Sequence, residues 1–484
     1  MIKMIWSAKP PQNAFISFHE NQLLIDLCFH RKFLCRSFQI ERGVDFRRVI
    51  LMKIAVISDN HLGVKWGTAR EQDSFDQTKE SIERALELGA ELILELGDIF
   101  DTRTPRQEVW AQAMRILSIP LARGRSEIKL DRTIDKDKDD FSPVALRGAP
   151  VIALHGNHER RTRGFVNPVQ ALEAAGLLIY LHHNVLVFDT PRGKLAIHGM
   201  SNVPEQHARN VLAAWNPKPV EGAFNILMLH QSVGQYVYSS EEFPTIDLAD
   251  LPPGFDLYLC GHIHYHADAV AHGKPLLFPG STERTQLLQV EAEVPKGFYM
   301  LDLGDGLSYE FIELKSTRDF YYEEMKFDGI RIPQLNEVVR AKARELLERP
   351  RRNLEKLPLI RLRLTGTLAK EASRSEFDER AIIQEFADRA LVAISKGDLT
   401  SPGLEEKVQL LRELRERRLP IDEMAMSMLE GNLRDMKYNH PLDVRPLYGL
   451  LVEKREDEAF QKVLGVVENQ IKTELGRKSD DNPS

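Results

Sequence analysis

The chain has 484 residues, 43% of them hydrophobic and 28% charged, with a formal net charge of −7. One hydrophobic core does not organise that length, so two to four domains are expected. No apolar run reaches the eighteen or so residues of a membrane span, and the negative balance excludes a global basic field as the means of holding a nucleic acid. Three cysteines, Cys28, Cys35 and Cys260, are too few and too poorly spaced for a disulfide framework or a four-cysteine zinc site, which fits a reducing cytoplasm.

Residues 1–51 carry no sustained periodicity, and their apolar stretch LLIDLCF is broken by Asp26, a poor secretory signal. Met52 leads at once into the strand-like KIAVISD, so residues 1–51 are read as an extension outside the working chain. From Met52 to about Gly280 the runs KIAVISD, AELILELGD, APVIALHGNH, NILMLH and DLYLCGH alternate with helical stretches, an α/β pattern. Between the first two, Phe75, Ile82 and Leu86 recur at near-helical spacing and Gly89 supplies the stop. Arg123 to Ser142, highly charged, reads as an exposed loop.

Residues 281–368 read as a second, smaller α+β domain. It has a hairpin around GDG, an amphipathic helix in QLNEVVRAKARELLER, and a strand in which Ile360, Leu362 and Leu364 alternate with Arg361 and Arg363. Residues 373–470 read as helical, starting with DERAIIQEFADRALVAI, and 471–484 lack the apolar content to fold.

All five runs of the first domain end in side chains that bind metals: Asp59 and His61, Asp98 in GDIFD, Asn157 and His158 in GNHE, His230 in LHQS, His262 and His264 in GHIH. In an open α/β sheet the carboxyl ends of strands share an edge, so the five endings are read as one site. Asp59 alone would be a turn former; imidazole partners favour a metal. Carboxylate, amide and imidazole donors together suit Mn²⁺, Zn²⁺ or Fe²⁺ better than Ca²⁺ or Mg²⁺. Seven ligands exceed one tetrahedral ion and suit a pair, roughly 3.5–4 Å apart and sharing a carboxylate, of the kind that serves phosphoryl displacement.

DxH, GDxxD, GNHE, a single His and GHxH in that order strongly resemble the calcineurin-like metallophosphoesterases. Within them, DNHLG, GDIFDTRTP, GNHERRTRG and FPGSTER resemble the Mre-eleven/SbcD double-strand-break repair nucleases, from about Met52 to Arg284. The resemblance implies an α/β fold: a metallophosphoesterase β-sandwich flanked by helices, a small capping domain and a C-terminal helical segment. It implies two Mn²⁺ ions, one on Asp59, His61 and His264, the other on Asn157, His230 and His262, with Asp98 bridging and His158 catalytic. It further implies exonuclease and single-strand endonuclease activity at DNA ends, a homodimer, and a Rad-fifty/SbcC-type ABC ATPase docked on the helical region 373–470. One departure stands out: many relatives place a histidine three residues after the bridging aspartate, where this chain has Asp101.

His155, His182, His183, His198, His266 and His272 fall off the motif positions and are read as structural or surface groups. Arg160, Arg161 and Arg163 either grip phosphates or form a solvated basic loop, and Arg361 and Arg363 are read as solubilising. The rival reading is a phosphodiesterase or phosphatase for nucleotides or phosphoproteins. Against it stand the roughly two hundred residues after the last ligand, which a small substrate would not require.

Overall fold

The computed structural model describes residues 52–401, apart from 125–126, 163, 238–245, 305 and 371, together with 423, 425–426, 429–430, 444–453 and 455–465. The extension 1–51, the tail 471–484, Cys28, Cys35 and Arg163 lie outside the described residues.

The apolar runs are near-continuous because each strand is covered on both faces. In β1 (Lys53–Ile57), Ile54 and Val56 enter one core while Ala55 and Ile57 enter another; in β2 (Leu92–Glu95), Leu92 and Leu94 are divided from Ile93 in the same way. The same two-residue period splits β8 (Ala223–His230) and β9 (Leu257–Gly261), whose Ile226, Met228, Leu257 and Leu259 share the core of β1 and β2. That shared core lies between two sheets. One has six strands, joining β1, β2, β4 (Val151–Ala153) and β5 (Ile179–Tyr180) to β12 (Gly297–Leu303) and β13 (Leu307–Glu313). The other has seven, comprising β8, β9, β3 (Lys129–Ile134), β6 (Asn184–Thr190), β7 (Gly193–Met200), β10 (Ala267–Ala271) and β11 (Lys274–Phe278). Helices α1 (Asp73–Glu87), α2 (Gln107–Leu117) and α3 (Pro168–Ala174) cover the outer face of the first sheet, and α4 (Glu205–Trp215) that of the second. Gly89, at φ +94°, ends the α1 segment as the sequence predicts.

A third sheet holds β14 (Phe320–Ile330), β15 (Leu359–Leu368) and β16 (Leu391–Thr400), all parallel. Ile360, Leu362 and Leu364 of β15 pack against Leu335, Val339, Ala343 and Leu346 of α6 (Ile332–Leu347) and Ile382 of α7 (Glu379–Glu385); α5 (Gln289–Glu293) is a short turn upstream. Arg361 and Arg363 alternate with them, and Arg363 pairs with Asp398 and Glu324. That ion-pairing agrees with a solubilising role.

Three expectations are corrected. The segment 123–142 is not all loop: Lys129–Ile134 pairs antiparallel with β6 as an edge strand, exposed enough to need no apolar pattern. The hairpin around GDG does not open a new domain at residue 281, because β12 pairs with β1, Val56 opposite Tyr299, and the division between sheets falls at 314–319 instead. The region 373–470 is not helical throughout. After α7 the residues LVAI are strand, since β-branched and apolar side chains complete the third sheet beside β15. Of the C-terminal region, α8 (Val444–Val452) and the helical residues 456–465 are described.

Arg318 joins the third sheet to α1. Its guanidinium, buried, donates to Asp73 at 2.6 Å and to the carbonyls of Leu357 and Ala69 at 2.8 Å, while Lys356 reaches Asp73 at 3.1 Å and Asp76 at 2.7 Å. Removing one partner of a buried pair strands the other, so Arg318→Ala is expected to cost about 3–5 kcal/mol in urea denaturation. A cost below about 1 kcal/mol would show that Lys356 and Arg70 suffice to neutralise Asp73.

Burial pulls His198 down to about 4 and His155 to about 3. Between those values and the ordinary 6.5 the unfolded chain binds protons that the folded chain refuses, so stability is complete above about pH 6.5 and falls with acidification. His198→Gln is expected to flatten that acid limb of a melting-temperature profile. An unchanged slope would remove His198 from the account.

Candidate metal centre

The five motif-bearing runs do not share the edge of one open sheet. Strands β1, β2 and β4 end side by side in the first sheet and β8 and β9 side by side in the second, and the two sets of carboxyl ends face one another across the sandwich. Asp59 and His61 follow β1, Asp98 follows β2, Asn157 and His158 follow β4, His230 ends β8, and His262 and His264 follow β9. Ligand atoms of Asp59, His61 and His264 lie within 4.8 Å of one another, as do those of Asp98, His230 and His262 and of His61, Asp98 and His158. Asn157 joins them: its Oδ1 is 3.3 Å from His230 Nε2 and 3.1 Å from His262 Nδ1.

The loops that carry these side chains are tightly held. Asp59, His61, Asp98 and His262 all have positive φ, +51°, +46°, +49° and +82°, a conformation that costs non-glycine residues about 1–3 kcal/mol each. Asp59 receives hydrogen bonds from Ser58 Oγ and from the His262 N–H, and Asp98 Oδ1 receives the His158 N–H at 2.9 Å. Gly156 is required where it stands, since a Cβ there would lie 2.0 Å from Asp98 Oδ1.

Hydrogen bonds on the far side of the rings decide what the near side offers. His230 Nδ1 donates to the Leu96 carbonyl at 2.6 Å and His61 Nδ1 donates to the Asp101 carboxylate at 3.2 Å, both groups that only accept. Their Nε2 atoms therefore carry lone pairs when the rings are neutral. Yet His61 Nε2 lies 3.0 Å from His264 Nε2, and His230 Nε2 lies 3.4 Å from Asp98 Oδ2. A buried set of acceptors turned on one another calls for a cation, and this donor set fits a divalent metal.

Electrostatics agree. Burial alone would lower His230, but Asp98 and Asp59 override it and raise it to about 9, so in the metal-free chain a proton stands where positive charge is wanted. Burial likewise works to raise Asp98, yet His230 and His61 hold it well below the ordinary carboxylate range. Burial, reinforced by His61, pulls His264 well down.

The calcineurin-like phosphoesterase family profile matches residues 52–266, the span that carries all of these side chains. This domain belongs to the calcineurin-like phosphoesterases. Their chemistry is metal-dependent phosphoester hydrolysis, which makes the chain a hydrolase. Over 448 residues the chain is 25% identical to the DNA double-strand break repair protein Mre11 of Methanopyrus kandleri, covering 85% of this chain and 88% of that one. It is 25% identical to Mre11 of Sulfolobus acidocaldarius over 66% of this chain and 76% of that one. With the double-strand break repair protein MRE11 of Encephalitozoon cuniculi it shares 25% identity over 57% of this chain, spanning half the length of that protein.

Around the phosphoesterase centre, sequence reasoning missed several supports. Thr285 Oγ1 meets His264 Nδ1 at 2.6 Å, and buried Lys296 donates to the His264 carbonyl at 2.6 Å, to Ser281 and to Glu291. Glu159 accepts the N–H groups of Phe100 and Gly156 at 2.8 Å each; burial and Asp98 push it up to about 8. Glu159 adjoins the GNHE histidine and Thr285 follows FPGSTER, so both had a signal; Lys296 had none. Of the set-aside histidines, His155 bonds Tyr180 and the Asn202 carbonyl, His198 bonds Asn225, His266 bonds the Pro295 carbonyl and His272 the Leu251 carbonyl. The His182 and His183 rings lie tilted against each other, 34° apart in plane with centroids 3.9 Å apart. Arg160 bonds Asn202, and Arg161 lies over the ring of exposed Phe165.

Because His230 must shed its proton before its Nε2 can bind a metal, affinity for Mn²⁺ should climb with pH up to about 9. With one proton released the gain is about tenfold per pH unit, measured by calorimetric titration of the metal-free chain. A flat profile would show that His230 is not a ligand.

Proposed function

We propose that the chain is a manganese-dependent nuclease that processes DNA ends in double-strand break repair. The observation that carries this reading is Asp98, whose carboxylate belongs both to the group with His61 and to the group with His230 and His262. Asp59, His61 and His264 are assigned to one ion and Asn157, His230 and His262 to the other, with Asp98 between them. A bound pair of divalent ions supplies Lewis acidity and an activated water for in-line phosphoryl displacement. Mixed nitrogen and oxygen donors without thiolate favour manganese over a structural zinc.

His158 is the assigned catalytic residue. Its side chain is 31% exposed at the mouth of an otherwise buried cluster, so a substrate can reach it. Its Nδ1 donates to the Asp101 carbonyl at 2.8 Å, which fixes the ring and leaves Nε2 free to face the leaving oxygen, which it stabilises or protonates as the imidazolium. Asp101, standing where many relatives have histidine, acts on the ligands instead: its carboxylate accepts from His61, and it contributes no proton donor to the phosphate.

Similarity to proteins named for DNA double-strand break repair supports DNA ends as the substrate; exonuclease and single-strand endonuclease activities, a homodimer, a cytoplasmic setting and a Rad-fifty/SbcC-type ABC ATPase partner are proposed with it, on the motif resemblance. Leu391–Thr400 is a strand of the third sheet, so the ATPase-docking proposal is kept for the part of 373–470 beyond it. No described helix is long and apolar enough to cross a membrane.

End-labelled duplex DNA incubated with the chain and Mn²⁺ is expected to release nucleotides, and His158→Ala to lose about 10²–10⁴ in turnover while binding Mn²⁺ with unchanged affinity. Cleavage confined to a nucleotide monoester would replace the nuclease reading with a phosphatase. Full turnover by His158→Ala would take the catalytic role from that residue.

A further inference from the structure

The loop between His158 and α3 leaves two large apolar side chains in water. Phe165 is 63% exposed and its neighbour Val166 64%. Scattered exposed apolar residues are ordinary, but a contiguous pair beside a reaction site is the kind that marks a contact surface. The loop is held at both ends. At one, His158 is tied to the Asp101 carbonyl; at the other, Asn167 caps α3 by accepting the Gln170 N–H at 2.9 Å. Between them Arg160 donates to Asn202 Oδ1 at 2.6 Å, and Asn202 donates to the His230 carbonyl at 3.2 Å. The loop therefore borders the metal cluster.

Cations gather at the same place. The Arg161 guanidinium lies 5.6 Å from the centre of the Phe165 ring, and its Nη1 reaches the Arg103 carbonyl at 3.5 Å. Arg103 is exposed and stands two positions after Asp101, the residue that holds both His61 and His158. Arg160 feels it: burial first, and then the charge of Arg103, lower the pKa of Arg160, with Glu205 opposing them. In a chain of net charge −7, three arginines at the border of the cluster make a local basic field. A guanidinium over the ring also attracts its π-cloud and steadies it.

The cluster itself is enclosed. Asp59, His61, Asp98, His230, His262 and His264 are buried, and His158 is the partly open member. A stacked, paired duplex end does not bring a backbone phosphate into so closed a set of ligands, so the strand to be cut has to leave the stack. We propose, resting on the nuclease reading above, that Phe165 positions the DNA strand: the ring stacks on a base freed at the strand end, while Arg103 and Arg161 meet the adjoining phosphates. Every base has a π-face, so such a platform works without sequence preference. Apolar side chains that wedge between base steps use the same physics. A protein contact would also call on exposed apolar neighbours, but arginines at the mouth of a phosphoesterase centre favour a nucleic acid.

Turnover of labelled single-stranded DNA with Mn²⁺ is measured for the full chain, for Phe165→Ala and for Phe165→Trp. Each is given an ordinary strand and one of the same length whose nucleotides at both ends are abasic. Phe165 is exposed, so replacing it costs folding little. On the ordinary strand Phe165→Ala is expected to raise KM about tenfold with kcat little changed, the factor that one lost base stack is worth, and Phe165→Trp to keep the wild-type KM. On the abasic strand the three chains are expected to converge, since no base is there to stack. Equal KM for wild type and Phe165→Ala on the ordinary strand would overturn the proposal while leaving the nuclease reading in place, and would give the loop to a protein contact. An equal loss on both strands would overturn it too, by showing that the ring serves the shape of the loop. A wild-type chain that leaves both strands uncut removes the nuclease reading, and the proposal falls with it.

Discussion

Two imidazole nitrogens 3.0 Å apart, each on a ring whose other nitrogen is already engaged, set the terms for the whole catalytic domain. With His61 Nδ1 donating to Asp101, the His61 Nε2 lone pair faces His264 Nε2, and Asp98 stands beside His230. A divalent metal would neutralise this buried cluster, in which His230 otherwise holds a proton beside Asp98 and Asp59. Strain at Asp59, His61, Asp98 and His262 has the same origin: left-handed backbone points their short side chains inward from loops that leave the sheets at different angles.

The sandwich assembles that cluster. Two sheets sharing one apolar core bring the carboxyl ends of five strands to a single seam, three from one sheet and two from the other. Ligands on opposite sheets are fixed by the packing of Val56, Leu94, Met228 and Leu259 between them, so a change in core thickness would alter the distances at the metal seam. Buried supports then tie ligands to backbone: Leu96 holds His230, Asp101 holds His61 and His158, Thr285 and Lys296 hold His264. The third sheet is joined to this framework through Arg318 and Lys356 on Asp73.

Much of this was legible in the chain. Strand ends β1, β2, β4, β8 and β9 and every proposed ligand could be read because an apolar run followed at once by Asp, Asn or His is unusual, and five in order are specific. The α1 helix and the Arg361 and Arg363 alternation followed from period alone. Three features misled: the charged edge strand Lys129–Ile134, the hairpin Gly297–Glu313, and the strand Leu391–Thr400 after a helical pattern. Each takes its state from pairing with a strand distant in the chain, which local pattern does not encode.

The sequence by itself determined the donor set, its order and the class of chemistry, since ligand identity is a property of side chains and their spacing. Only the tertiary structure decided that the proposed ligands come from two facing sheets, that Asp98 lies between two groups of them, and that Thr285 and the Leu96 carbonyl orient the His264 and His230 rings while Lys296 holds the His264 carbonyl. It also decided that two guanidinium nitrogens of Arg284 are closed off from solvent with no acceptor among the described residues. Distances between groups remote along the chain are set by packing, and packing is the property that one-dimensional periodicity leaves open.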